Sequence, residues 1–332
     1  MNFPFNVYWL AFAGALIITL LALPLWRKWC LRIGLIDDPG HRKIHEQPIP
    51  LAGGLAVLTG LVVPLALGAI ALRLRFIELE QPHLFGSFTA DWLRYGFSRR
   101  AGQLLAIFVG AVGMVTLGWL DDKHELKPAA KFGGQLLIAA LVAAAGVRIT
   151  LFVHNIAFSY AITILWILTV TNACNFMDNM NGLCAGLGFI GSWCFGWSAA
   201  INGQYLAASI ALLTCGALLG FLPFNFPKAS AFLGDAGSHL IGYLLAVLAI
   251  LPHFYSRRNP DTLAVLKPLL ILSVLLGDLV WVVILRWRIG QPFYVGDNNH
   301  LSHRLARRGL SRTRAVVMIW LLAAVAGWLS FL

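Results

Sequence analysis

Long apolar runs cut by short polar segments set the pattern of this chain from end to end. Ten runs come close to or pass the ~20 residues that an α-helix needs to cross the hydrocarbon core of a bilayer. They cover roughly 8–26, 51–72, 102–120, 132–150, 157–176, 183–201, 205–224, 236–252, 264–285 and 314–332. A helix satisfies its own backbone within lipid, so the pattern predicts an all-α, polytopic integral membrane protein of about ten transmembrane helices. The connections leave no room for a soluble domain, so a single transmembrane domain is expected over 1–332, with no internal repeat. The first run is expected to stay as an anchor. No basic segment precedes it, and Leu23, Pro24, Leu25 and Trp26 do not form a small-residue cleavage site.

Composition strengthens this picture. Of 332 residues, 59% are hydrophobic and 12% charged, about half the charge of a soluble domain. The five cysteines, Cys30, Cys174, Cys184, Cys194 and Cys215, lie in or beside apolar runs with no metal-ligand spacing, and no disulfide framework is expected. The net charge of +11 fits basic loops against anionic headgroups, or an anionic substrate. Nucleic acid is excluded as a partner, because no basic soluble module exists to hold it.

Ten spans create two alternating sets of loops. The odd-numbered loops (27–50, 121–131, 177–182, 225–235 and 286–313) and their flanks hold 16 of the 25 Lys and Arg, the even ones nine. The bias predicts a multi-pass protein of the cell membrane with the odd loops in the cytoplasm and both termini outside. Even loop 73–101, with five arginines, runs against it. Nine acids also fall on the odd side: Asp37, Asp38, Glu46, Asp121, Asp122, Glu125, Asp178, Asp235 and Asp297. Most stand at helix ends, which points to a site rather than to solvation alone. Asp278 lies within a span, where an ionisable residue is a functional candidate.

Each odd loop carries candidate chemistry beside a plainer reading. In Asp37–Pro50, basic residues near two acids and two histidines suit phosphate and a metal, although charge alone favours a basic membrane-surface patch. Asp121 and Asp122 repel one another unless a proton or divalent cation relieves them, and they equally suit helix capping. Asn172, Asn175 and Asp178 recur every three residues and so share one helix face. They form either interhelical glue or an oxygen-donor set for Mg²⁺. Asp235, flanked by Gly234 and Gly237, starts the eighth span, where a helix N-terminus attracts phosphate or the acid acts as N-cap. His300 and His303 could bind a transition metal or donate to phosphate, and Arg304, Arg307 and Arg308 favour phosphate.

In order, the segments DDPGHRKIHEQPIPLAGG, GWLDD, NACNFMDNMNGL, FNFPKASAFLGDAGS and DNNHLSHRL resemble the polyprenyl-phosphate N-acetylhexosamine-1-phosphate transferases. Asp278, in LLGDLVWVV, is similar to that family's acid in the ninth span. The resemblance implies an active site on the cytoplasmic face where undecaprenyl phosphate attacks a UDP-sugar, giving undecaprenyl-diphospho-sugar and UMP. It implies Mg²⁺, with Mn²⁺ as substitute, on Asp235 with Asn175. It implies catalytic roles for Asp121, Asp122, Asp178 and Asp235, a place near the nucleoside for Asn225, and substrate contacts from Lys43, Asn172, His300, His303 and Arg304. The membrane lipid is its setting, and a homodimer is compatible with it. The HLSHRL segment favours GlcNAc as the sugar, with another UDP-N-acetylhexosamine next. The chain departs from the family at Asn181, where many members carry a second Asp, and at Ser302, where a His is common. The competing readings are a transporter of an anionic solute and a CDP-alcohol phosphatidyltransferase, and the latter lacks its acid series within one helix.

Overall fold

A computed structural model of the chain describes residues 3–38, 47–73, 96, 98–150, 155–252, 254, 262–292 and 298–332. Helices dominate it: α1 (Phe5–Ile33), α2 (Gly53–Arg73), α3 (Ala101–His124), α4 (Pro128–Ala144), α5 (Ile156–Met177), α6 (Leu183–Ile201), α7 (Tyr205–Asn225), α8 (Gly234–Ile250), α9 (Lys267–Ile271), α10 (Ser273–Arg288), α11 (Leu301–Arg307) and α12 (Arg312–Leu329). The one sheet among the described residues pairs β1 (Ile36–Asp37) with β2 (Ile49–Pro50), Ile36 opposite Pro50.

Local signals explain several boundaries. Gly34, at φ 70°, ends α1 in the left-handed conformation, which glycine adopts without a Cβ clash. Pro128 opens α4 at a position where its missing N–H costs nothing. Asn155 caps α5 by accepting from the N–H groups of Ala157 and Phe158 at 2.9 and 3.2 Å.

All ten predicted runs contain helix, but not all as predicted. Seven helices (α1, α2, α3, α5, α6, α7 and α12) are long and apolar enough to cross a membrane. The run at 264–285 is not one helix. α9 and α10 meet at Leu272 with a bend of 68°, where φ −97° and ψ 11° leave the helical region. The run at 132–150 ends at Ala144, because the chain turns through Gly146 at φ 91° and then returns Ile149 to α5. α4 and α8 are 17 residues each, about 26 Å of helix, against a core of about 30 Å.

α8 is the axis of the bundle. Every residue from Ala236 to Ala249 is buried, and α2, α3, α5 and α6 surround it. Close approach explains two glycines. A Cβ on Gly54 would lie 2.4 Å from the Gly237 nitrogen, and one on Gly118 would lie 2.4 Å from the backbone of Asp235 and Ala236. α2 and α3 therefore meet the first turn of α8 backbone to backbone. On the outside, α1 and α12 expose Leu10, Ile17, Leu21, Leu25, Met318, Leu321, Leu322 and Val325, the surface expected against lipid.

Hydrogen bonds tie all five odd-numbered connections into one end of the bundle. Phe232 donates its N–H to Pro50 at 3.0 Å, Asp122 reaches α8, Gly182 reaches Asn225, and Ser302 reaches Asn179. Phe3 packs against Tyr205 at the opposite end, at 4.8 Å between rings.

Candidate active site

Where α3, α4, α5 and α8 converge, two neighbouring acids face different ways. Asp121 accepts an ion pair from Lys131 of α4 at 2.7 Å. Asp122 turns to α8, and its two oxygens accept the N–H groups of Asp235 and Ala236 at 2.8 and 3.1 Å. It is an N-cap supplied across 113 residues of sequence. It complements the positive end of that helix and fixes Asp235, one residue into it.

Asp235 is held on both oxygens. Lys131 donates to Oδ2 at 2.5 Å, and Asn175 Nδ2 donates to Oδ1 at 2.7 Å. Asn175 gives its other amide hydrogen to Ser238 Oγ at 3.0 Å, so its carbonyl oxygen is the atom left for a ligand. Lys131 thus bridges Asp121 and Asp235, a shared cation between two carboxylates that would otherwise repel.

Asp178, just past α5, carries the mark of this crowding. Burial first, then the negative charges of Asp235 and Asp122, push its carboxyl up to about 8. The next residues are pinned: Asn179 Nδ2 donates to Phe176 O at 2.7 Å, and Asn181 Nδ2 to Pro227 O at 3.2 Å. Both departures from the resembled family therefore make contacts here. Ser302, fully buried, donates to Asn179 Oδ1 at 2.5 Å and docks α11 onto the Asp178 loop.

The histidine segment is anchored from α10. Asp278 accepts from the Leu301 N–H at 2.6 Å and sits 2.7 Å from His300 Nδ1. This places Asp278 as the clamp of α11. The His300 ring meets Phe176 edge-on at 5.9 Å. His303 is half-buried, and burial followed by the charge of His300 lowers its pKa. Arg304 stacks over Trp281 at 4.5 Å.

Of the residues singled out from sequence, Asp121, Asp122, Asn175, Asp178 and Asp235 come together. Asn172 lies one turn away on α5. His300, His303 and Arg304 join through α11. Lys43 lies outside the described residues. Asn225 is buried with its amide spent on the main chain: Oδ1 accepts from the Gly182 N–H at 2.6 Å, and Nδ2 donates to Ala231 O at 2.9 Å. It shapes the loop between α7 and α8. Lys131 was not singled out from sequence. Its only signal is a cation one turn inside an apolar helix, which reads equally well as a positive-inside charge.

Among the described residues no three His, Cys, Asp or Glu side chains form a ready-made metal cluster. The donors that do gather are oxygens: the Asp235 carboxylate, the Asn175 carbonyl and Asp121. Hard cations take such donors.

The sequence profile of glycosyl transferase family 4 matches residues 104–253. The probable undecaprenyl-phosphate N-acetylglucosaminyl 1-phosphate transferase of Bacillus subtilis is 31% identical over 325 residues, 95% of this chain and 82% of the relative. The chain belongs to glycosyl transferase family 4. The chain is also similar to the decaprenyl-phosphate N-acetylglucosaminephosphotransferase of Mycobacterium tuberculosis, 32% identical over 95% of this chain and 79% of its own length. The undecaprenyl-phosphate alpha-N-acetylglucosaminyl 1-phosphate transferase of Escherichia coli is 24% identical over 93% of this chain and 79% of its own length. The family 4 match runs from α3 to the end of α8 and so includes Asp121, Asp122, Lys131, Asn175, Asp178 and Asp235.

Proposed function

We propose that this chain transfers GlcNAc-1-phosphate from UDP-GlcNAc to undecaprenyl phosphate, initiating a cell-envelope glycan. A lipid phosphate oxygen forms a bond to the β-phosphorus, the bond from that phosphorus to the bridging oxygen breaks, and UMP leaves with the electron pair. The observation that carries the reading is the meeting of Asp121, Lys131, Asn175 and Asp235 at one end of a membrane bundle, in a chain of this family. The names of the relatives supply the sugar and the lipid.

Phosphoryl transfer requires in-line positioning and neutralised charge. Lys131 is placed to exchange a carboxylate for a phosphate oxygen while staying paired with the other acid. Asp121 keeps that ammonium aimed at the site, and Asp122 holds the helix end on which Asp235 stands. A phosphate monoester is already mostly ionised near neutral pH, so the attacking oxygen needs orientation more than a strong base. Asp235 and the Asn175 carbonyl would hold Mg²⁺, which keeps several ligand positions for water and phosphate. When bound, it supplies Lewis-acid stabilisation of the diphosphate. His300, His303 and Arg304, docked through Ser302 and Asp278, would close the donor's phosphate side.

The same reading takes α4, α8 and the bent α9–α10 pair as three further crossings, ten in all. The site then faces the cytoplasm and both termini lie outside.

Mass spectrometry of lipid products from a panel of UDP-sugars tests the proposal. Undecaprenyl-diphospho-GlcNAc with stoichiometric UMP is expected. A different hexosamine on the lipid changes the sugar alone. Solute uptake into liposomes without chemical change replaces the transferase by a transporter.

A further inference from the structure

One turn deeper than Lys131, Asp235 and Asn175, the same three helices carry a second tier of polar side chains. Gln135 follows Lys131 by four residues on α4, His239 follows Asp235 by four on α8, and Asn172 precedes Asn175 by three on α5. These spacings stack side chains on one helix face. Gln135 and His239 are completely buried, at 0% exposure, where polar groups require partners.

The tier is one hydrogen-bonded chain, and the main chain sets its direction. The carbonyl of Leu168 can only accept, so the atom facing it, at 2.8 Å, is the amide nitrogen of Asn172. That nitrogen gives its other hydrogen to Gln135 at 2.8 Å, which makes the receiving atom Oε1. Gln135 Nε2 is then turned to His239 Nε2 at 3.2 Å. A donor already stands there, so His239 Nε2 accepts and bears no proton. The ring hydrogen belongs on Nδ1, a buried atom without a hydrogen-bond partner among the described residues. At the other end of the chain, both amide hydrogens of Asn172 are committed. Its Oδ1, on a half-buried residue beside the site, is left as an acceptor without a hydrogen-bond partner among the described residues.

We propose that Gln135, held by His239, is a positioning residue that fixes the carbonyl oxygen of Asn172 as an acceptor for a hydroxyl or amide N–H of the sugar-nucleotide donor. The inference rests on the transferase reading. It adds a specificity contact, because an acceptor locked in place rejects a donor that lacks the matching hydrogen.

Steady-state turnover against UDP-GlcNAc concentration tests it in the unaltered chain, Asn172→Ala, Gln135→Leu, the double variant and Gln135→Glu. Each of the first two variants is expected to raise KM about tenfold with kcat changed less than about threefold. The double variant is expected to be no worse than either single one, because both remove the same contact. Gln135→Glu keeps an acceptor for Asn172 and is expected to restore KM to within about threefold. Additive effects on KM, or a Gln135→Leu variant that loses only thermal stability, overturn the proposal. If the unaltered chain turns over no sugar nucleotide, the transferase reading fails instead. ¹⁵N-histidine NMR then still decides the network. One histidine is expected as the Nδ1–H tautomer, lost or reversed in Gln135→Glu, and an Nε2–H tautomer for His239 in the unaltered chain overturns it.

Discussion

Asp121 and Asp122 are the same residue type, side by side, with different work. Asp121 balances a lysine, and Asp122 caps a helix. Removing the cap with Asp122→Ala is expected to cost about 1–2 kcal/mol, read as a lower unfolding midpoint in detergent, together with reduced turnover. Asp235→Asn is expected to reduce kcat by about 10²–10³-fold while the unfolding midpoint stays close to that of the parent, since Lys131 keeps Asp121. Near-normal turnover in Asp235→Asn would remove that carboxylate from the chemistry. Asp178 gives a pH signature. Its carboxyl is raised to about 8, so the folded chain keeps a proton that the unfolded chain has released. The folded state binds more protons between about pH 4 and about pH 8, and stability falls as pH rises through that window. In chelator, the unfolding midpoint of the parent is expected to drop more than that of Asp178→Asn between about pH 6 and about pH 9. Parallel curves would show that Asp178 holds no such proton.

Elements were legible where their own residues carried the signal. Apolar length marked all ten helical places, and the three-residue spacing placed Asn172 and Asn175 on one face of α5, with Asp178 just past its end. Asp235 was placed correctly at the start of α8. The bend at Leu272 was not legible, since the run on both sides of it is dominated by apolar residues, with only Lys267, Ser273 and Asp278 polar. The division of labour between Asp121 and Asp122 depends on partners 10 and 113 residues away, which local pattern does not encode. Lys131, Gln135 and His239 escaped for the same reason, as single polar residues in apolar helices whose meaning appears only when three helices meet. Element packing makes its own prediction. Gly118→Ala places a methyl 2.4 Å from the α8 backbone, with no flexible side chain to yield. The expected cost is about 1–3 kcal/mol, with turnover falling because Asp235 moves with its helix. The control Gly133→Ala, on α4 with open space around it, is expected to leave the unfolding midpoint unchanged or slightly higher.

Across the whole molecule, the five odd-numbered connections share one end, and the chain ends near Phe3 and Leu332 belong to the other. A water-soluble sugar nucleotide and a lipid phosphate can meet at such an end without either crossing the bilayer. Single cysteines tested with a membrane-impermeant thiol reagent should separate the two ends. One at position 228, in the loop before α8, is expected to react only in inverted vesicles, and one at position 202, before α7, only in intact cells. Labelling of both positions from the same side would break the ten-crossing topology.

The burial of α8 from Ala236 to Ala249 also bears on how the protein is made. A helix with no lipid-facing side, and with Asp235, Ser238 and His239 in its first half, has no stable resting place in a bilayer by itself. The helices that pack most against it, α2, α3, α5 and α6, all precede it in the chain. During synthesis from the N-terminus the cradle can therefore assemble before its occupant emerges, and α8 can pass from the insertion machinery directly into protein. The residue that anchors the chemistry would then be among the later ones to find its place, and the site would come into being only when the bundle around it is already built.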